Sequence, residues 1–302
     1  MVEYQNILAA VGMGPEADWV LEKARAVAEA KRAKLSMLHV VRRRFGKETP
    51  STTPEAALEH PDLGFDQGDY RELTASRDGV GALDGHEVTS LVAFGHPARM
   101  ILNAIRERGV DFLVMGSHSR HGIAGYLGST TDHVAHGVNC DLLVVKTQTE
   151  KRHEPNGGGY RKLLVPVDFS AGSRRVIEQA KDWAEHYNAE VTLLHIEEHF
   201  PTDRSNETIT PEDQDPAEDL RRRAFVSMTD LAQQVGVLAA QEFQFNPGAA
   251  KHPIVETAER LGADLIVMGS HGVHGVQRLL GSTTDGVLHR APCDVLLVRV
   301  RA

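Results

Sequence analysis

Cysteine is nearly absent: Cys140 and Cys293 are the only two in 302 residues, and they form no C-x-x-C pair. That scarcity rules out a disulfide framework or a zinc ribbon and predicts two buried free thiols. Aromatic residues make up only 5% of the chain. No apolar stretch approaches the ~18 residues of a membrane helix, so no membrane span is expected. The opening MVEYQNILAA carries Glu3 and has neither the basic start nor the apolar run of a signal peptide; a cytoplasmic location is the expectation. Basic residues are outnumbered, 33 Lys and Arg against 42 Asp and Glu for a net charge of −9, which disfavours a nucleic-acid surface. The runs Arg42-Arg43-Arg44 and Arg221-Arg222-Arg223 read as solvated edges. Walker A, G-x-S-x-G and H-E-x-x-H signatures are also missing, so no catalytic residue is named.

What is present is a duplication. Residues 6–40 align without gaps on residues 162–196, and residues 95–145 on residues 248–298. Both copies contain Met-Gly-Ser-His, Leu-Gly-Ser-Thr-Thr-Asp and Cys-Asp. Repetition at that level predicts two domains, each long enough to bury a core. Residues 148–160, QTEKRHEPNGGGY, are polar with Pro155 and three consecutive glycines, a composition suited to a linker. The expected domains are 1–147 and 161–302.

Within each copy, short apolar runs alternate with segments of helical period. Residues 7–11, 35–40, 112–115 and 142–145 read as strands, answered by 163–167, 191–196, 265–268 and 295–300. Unbroken apolar runs suit a parallel sheet buried on both faces. Val20, Ala24, Val27 and Ala28 recur at helical spacing, as do Val176, Ile177, Ala180, Trp183, Ala184 and Tyr187. The fold class expected is α/β: two tandem, doubly wound, open parallel-sheet domains of Rossmann-like type, with ligands bound beyond the carboxyl ends of the strands. Residues 45–85 and 199–216, rich in Pro, Gly, Asp and Thr, read as long loops or lids that a bound ligand could order. Residues 217–235 read as a helix.

One constellation carries chemistry. After the apolar run at 265–268 come Gly269-Ser270-His271-Gly272, eight further residues, and then Gly281-Ser282-Thr283-Thr284-Asp285 opening a helix. Glycines let backbone N–H groups approach a phosphate closely, and a helix start adds favourable partial charge. The plainer reading of Ser282 is an N-cap paired with Asp285 in a capping-box variant, which needs no ligand. Asp168 has a plain reading too, as a strand-end residue bonding nearby loop amides.

The order strand, Met-Gly-Ser-His-Gly, spacer, Gly-Ser, helix, Ala-Pro-Cys-Asp, strand resembles the closing segment of a universal stress protein domain. Leu163-Leu164-Val165-Pro166-Val167-Asp168-Phe169-Ser170 and Leu194-His195-Ile196 are similar to that family as well. The likeness covers both copies apart from loops and linker. The family's usual pattern is G-x2-G-x9-G-[ST], and the spacer here is one residue shorter. The resemblance implies binding of ATP, with Mg²⁺ bridging its phosphates, and a role in stress sensing or regulation. Carried over by residue, it places Pro166, Val167, Asp168 and Ile196 on the adenosine side. Met268, Gly269, Gly272, Gly281, Ser282 and Thr283 would hold ribose and phosphates. In the first copy Val40, Met115, Gly116, Gly128, Ser129 and Thr130 match, whereas Gly12 stands for the Asp and Ser119 for the second loop glycine. A degenerate first site and a more intact second site follow. Pairing of the two domains through their last strands, further homodimerisation and an unidentified protein partner are also implied.

Three other readings compete. Gly12-Met13-Gly14-Pro15-Glu16-Ala17 is formally a dinucleotide fingerprint, with Arg42 and Arg43 after the next strand, but the second copy lacks it. The pairs His133/His136, His118/His121 and His271/His274 invite a metal, yet no carboxylate or cysteine beside them completes a ligand set, and none is assigned. His39 and His195 end apolar strands and read as satisfied core histidines. The alternatives to a nucleotide-binding regulator are a stress protein without nucleotide binding that takes a metal (zinc) or another small ligand, and a weak ATPase.

Overall fold

The computed structural model describes residues 3–13, 16–42, 49–60, 65–80, 88–117, 127–147, 159–198, 216–246, 248–270 and 280–300. The first half runs β1 (Asn6–Val11), α1 (Glu16–Lys31), β2 (Lys34–Arg42), β3 (Thr49–Thr52), α2 (Pro54–Leu58), α3 (Gln67–Val80), β4 (Thr89–Gly95), α4 (Pro97–Arg108), β5 (Phe112–Gly116), α5 (Ser129–Gly137) and β6 (Asp141–Val145). The second runs β7 (Lys162–Pro166), α6 (Ser173–Tyr187), β8 (Glu190–Glu197), α7 (Pro216–Val235), β9 (Ala239–Phe245), α8 (Lys251–Leu261), β10 (Leu265–Gly269), α9 (Ser282–Arg290) and β11 (Asp294–Val298).

The strands form one sheet in the order β3-β4-β2-β1-β5-β6-β11-β10-β7-β8-β9. Inside each half the pairing is parallel except for β3, which runs antiparallel along β4. All eight expected strands are present. The sequence reading missed β4 and β9, which extend each sheet beyond β2 and β8. Strand β9, AAQEFQF, is only half-buried along most of its length and carries no apolar run to announce it. The segment 45–85 is not mainly loop: β3, α2 and α3 occupy much of it. Thr53 caps α2 by accepting from the Ala56 N–H at 3.3 Å, Pro54 fits the first helical turn, and Ala57 is fully buried. Residues 199–215 and 148–158 lie outside the described residues.

Each face of the sheet carries one continuous apolar layer that runs through both halves. On one face α1, α3, α6 and α7 bury residues such as Leu21, Leu73, Ile177, Trp183 and Met228; on the other, α4, α5, α8 and α9 bury Ile101, Val134, Ile254 and Val287. Helix register follows from spacing: Val176, Ile177, Ala180, Trp183 and Ala184 line the inner stripe of α6. Helices α4 and α8 stop at the equivalent residues Gly109 and Gly262, at φ 60° and 62°, a left-handed conformation in which a side chain would be strained.

The halves join where β6 meets β11 in antiparallel register, with Leu143 opposite Leu296. These two leucines are equivalent positions of the repeat, so the joint is nearly self-complementary, as in an isologous dimer. Both Cys-Asp motifs brace it. Asp141 is 2% exposed and accepts the Arg299 backbone N–H at 2.7 Å, the Tyr4 hydroxyl at 2.7 Å, the Gln179 amide at 3.0 Å and the Arg175 guanidinium at 3.1 Å. Asp294, 3% exposed, accepts the Lys146 backbone N–H at 2.9 Å and the Tyr160 hydroxyl at 2.8 Å. A buried ion pair between Lys31 of α1 and Asp182 of α6 adds a second bridge between halves.

Replacing Asp141 by Ala strands several buried donors at once and is expected to cost about 3–5 kcal/mol. Breaking the exposed Arg25–Glu29 pair by Arg25→Ala should change stability by no more than about 0.5 kcal/mol. Urea unfolding followed by circular dichroism separates the two. Cys140 and Cys293 are both buried and unpaired, and burial pushes the Cys140 thiol up to about 12. The protein should therefore resist a thiol reagent at pH 8 until denaturant is added, as absorbance of the released chromophore would show.

Candidate functional site

In the second half β7 leads outward through β8 to β9 on one side, while β10 and β11 lie on the other. The strand order thus reverses between β7 and β10, and a crevice opens beyond their carboxyl ends. A cavity of about 660 Å³ occupies this position. Pro166, Val167 and Asp168 enter it from the end of β7, Ile196 from β8, Met268 and Gly269 from β10, and Gly281, Ser282 and Thr283 from the start of α9. Nine sequence-predicted residues therefore meet in one crevice. Gly272 lies outside the described residues.

The start of α9 differs from the capping-box reading. Gly281, not Ser282, is the N-cap, in extended conformation at φ −64° and ψ 144°, with no side chain capping the helix. The Gly281 carbonyl already accepts the Asp285 N–H at 2.8 Å, which makes Ser282 the first helical residue. The first-turn N–H groups of Ser282, Thr283 and Thr284 have no intrahelical acceptor by the geometry of a helix start, and they carry the positive end of the helix dipole. The turn is held from below: Ser270 N–H donates to Val298 O at 3.0 Å and Gly281 N–H to Ser270 O at 2.9 Å. The buried Thr284 hydroxyl donates to Gly269 O at 2.9 Å, pinning α9 to the end of β10. Thr284 was not singled out from the sequence, although Thr131 repeats the arrangement on Gly116 at 2.8 Å.

Asp168 fulfils its plainer reading: one carboxylate oxygen accepts the Ser170 N–H at 3.0 Å and the Ser173 hydroxyl at 2.9 Å. It is nonetheless exposed at the cavity wall. Phe169, at φ 57°, lays its ring against the His195 imidazole with centroids 4.3 Å apart. His195 donates from Nδ1 to Val167 O at 2.8 Å, and His39 does the same to Val11 O at 3.1 Å. Both are satisfied histidines at strand ends. Burial pulls the His39 imidazole below its ordinary range.

Sequence reasoning missed the contribution of α7, which brings Leu220, Arg223, Ala224 and Ser227 to the cavity. Arg223 stands at the rim of the cavity, exposed to solvent and paired to Asp219 at 2.6 Å, in keeping with the reading of this run as a solvated edge. The polar stretch before α7 gave no signal of where the helix would dock. Glu198, also on the cavity wall, accepts the Ala250 N–H at 2.7 Å.

In the first half Met115 and Gly116 end β5, and Gly128, Ser129 and Thr130 open α5 with the same uncapped geometry, Gly128 standing at φ −65° and ψ 142°. Val40 lies near the end of β2, half-buried. Two things differ. Gly12 offers no carboxylate, and α3 places the negative charges of Asp69 and Glu72 in the field of His39, whereas α7 presents Arg223 in the second half. Ser119, Gly14, Pro15 and Arg43 lie outside the described residues, as do His118, His121, His271 and His274. One expectation about the histidines is corrected: folding brings carboxylates to His136, with Asp132 on its own helix and Asp285 across the seam.

A doubly wound, mostly parallel sheet defines a Rossmann-like α/β fold, here present twice, with the crevice described above in the second half. The model of the Universal stress protein family matches residues 3–146 and again 159–299. The chain belongs to the universal stress protein family and carries two of its domains in tandem. Universal stress protein A homolog 1 of Coxiella burnetii is 36% identical over 139 residues, spanning 46% of this chain and 96% of that protein. Homolog 2 of the same organism is 36% identical over 143 residues, 47% of this chain and 97% of its own length. The crystal structure of a universal stress protein from Archaeoglobus fulgidus shares the fold over 99% of both chains, with a TM-score of 0.63 at 20% identity. Among the described residues no helix is long and apolar enough to cross a membrane.

Thr284→Val removes one hydroxyl without changing side-chain shape and leaves the Gly269 carbonyl short of a donor. A loss of about 1–2 kcal/mol is expected, read from the urea midpoint.

Proposed function

We propose that the second domain binds an adenine nucleotide, ATP, and that the chain serves as a stress-response sensor or regulator acting on a protein partner. The observation that carries this reading is the uncapped start of α9, opening beside glycine backbone into a cavity of about 660 Å³. That volume falls within the roughly 300–1,000 Å³ of small-molecule sites. Val167, Ile196 and Met268 supply apolar surface for a base. Asp168 stands where a ribose hydroxyl could be bound, and Ser282 and Thr283 add hydroxyl donors to the first-turn amides. Arg223 stands at the rim paired to Asp219, and Glu198 accepts a backbone amide on the cavity wall. Mg²⁺ would ride on the phosphate oxygens.

Among the described residues the first domain has the same helix start, but Gly12 stands where the second domain has Asp168. One nucleotide per chain is therefore expected. Pairing of the domains through β6 and β11 uses the last-strand edge of each, so a single chain already holds the pair that separate domains would have to form.

Ser282→Glu places a carboxylate on the proposed phosphate site at a position where helices favour acidic residues. The variant should keep its melting temperature yet bind ATP at least about tenfold more weakly, a loss of roughly 1.4 kcal/mol or more, whereas Ser129→Glu should leave affinity unchanged. Isothermal titration calorimetry on the full chain reads both. Equal ATP affinity in wild type and Ser282→Glu contradicts the assignment.

A further inference from the structure

Beyond the crevice, the two domains place a matched set of metal-ligating side chains on either side of their seam. Asp132 and His136 stand one turn apart on α5, and their repeat equivalents Asp285 and His289 one turn apart on α9. Asp132, His136 and Asp285 each present a ligand atom within 4.8 Å of the others. His136 Nε2 lies 3.8 Å from Asp285 Oδ1, and His289 Nε2 lies 3.5 Å from Asp132 Oδ1 and 3.7 Å from Asp285 Oδ1. A tetrahedral ion with bonds of ~2.0–2.1 Å has ligands about 3.3 Å apart; Asp132, His136 and Asp285 form the close group of three, and His289, which approaches both carboxylates from outside that group, has to turn inward on binding to complete a set of four.

Three further features point the same way. His136 donates from Nδ1 to the Asp132 backbone carbonyl at 2.9 Å, which fixes the tautomer that leaves Nε2 with a lone pair aimed at the cluster. Histidine ligands are commonly oriented in this way by a carbonyl acceptor. Two carboxylates and two neutral imidazoles balance the charge of one divalent ion. The four side chains are between 32% and 39% exposed, open enough for an ion to enter. We propose that Asp132, His136, Asp285 and His289 bind one divalent transition-metal ion of the zinc class across the domain seam, clamping α5 to α9. Nitrogen and oxygen donors in equal number select Zn²⁺ or Co²⁺ over Mg²⁺ and Ca²⁺, which take oxygen ligands. The proposal is independent of nucleotide binding, because no ligand is shared with the phosphate site.

The test uses the full chain without a histidine tag, stripped with chelator and titrated with ZnCl₂ in the absence of nucleotide. Calorimetry should show one Zn²⁺ per chain, with a melting temperature several degrees higher when zinc is present. Co²⁺ should give the intense visible d–d bands of a tetrahedral site. His136→Gln and His289→Gln should each weaken zinc binding at least about tenfold and abolish those bands, while His133→Gln, on the same helix but outside the set, should retain both. Absence of saturable stoichiometric binding, or binding that survives both His136→Gln and His289→Gln, overturns the proposal.

Discussion

The antiparallel contact between β6 and β11 is the constraint on which the rest of the molecule depends. It converts two separate parallel sheets into one and lets an apolar layer run unbroken along each face. Strand pairing alone would leave two aspartates buried beside it, a costly arrangement without partners. Asp141 and Asp294 are instead satisfied by the backbone N–H that follows the facing strand and by a tyrosine hydroxyl from the same half. The carboxylates thereby fix both the register and the angle of the joint, since a slip by one residue would leave charge buried and unpaired.

From that joint the geometry of both helix starts follows. Helices α5 and α9 precede β6 and β11 in the chain, so fixing those strands also fixes where each helix starts. Thr131 and Thr284 tie the helix starts to the ends of β5 and β10, and the glycine N-caps leave the first-turn amides bare. The same packing brings Asp132, His136, Asp285 and His289 together at the seam. What distinguishes the halves lies on the opposite layer: α7 carries Arg223 toward its crevice, while α3 carries Asp69 and Glu72 toward His39.

Much of this was legible in the sequence because it depends on local pattern. Gapless repetition of the apolar runs exposed the duplication and the doubly wound order, and glycines after an apolar run marked the crevice. Elements held by long-range contacts were less visible. Strand β9 alternates polar and apolar residues weakly and exists because β8 offers it a free edge. The repeated Cys-Asp pairs gave no sign of what their aspartates do, since the donors that satisfy Asp141 lie just before β1, in α6 and in the chain after β11. Ser282 satisfied every local rule for an N-cap, yet Gly281 takes that position because its N–H is drawn down to Ser270 O. The carboxylate partners of His136 were hidden for a similar reason: one comes from the other half of the chain.

The central claim, that bare amides at the start of α9 receive nucleotide phosphates, is tested most directly by residue-resolved amide hydrogen exchange of the full chain with and without ATP. Exchange at Ser282, Thr283 and Thr284 should slow on addition of ATP, while Ser129, Thr130 and Thr131 keep their rates. Unchanged exchange at the start of α9 under saturating ATP would contradict the account.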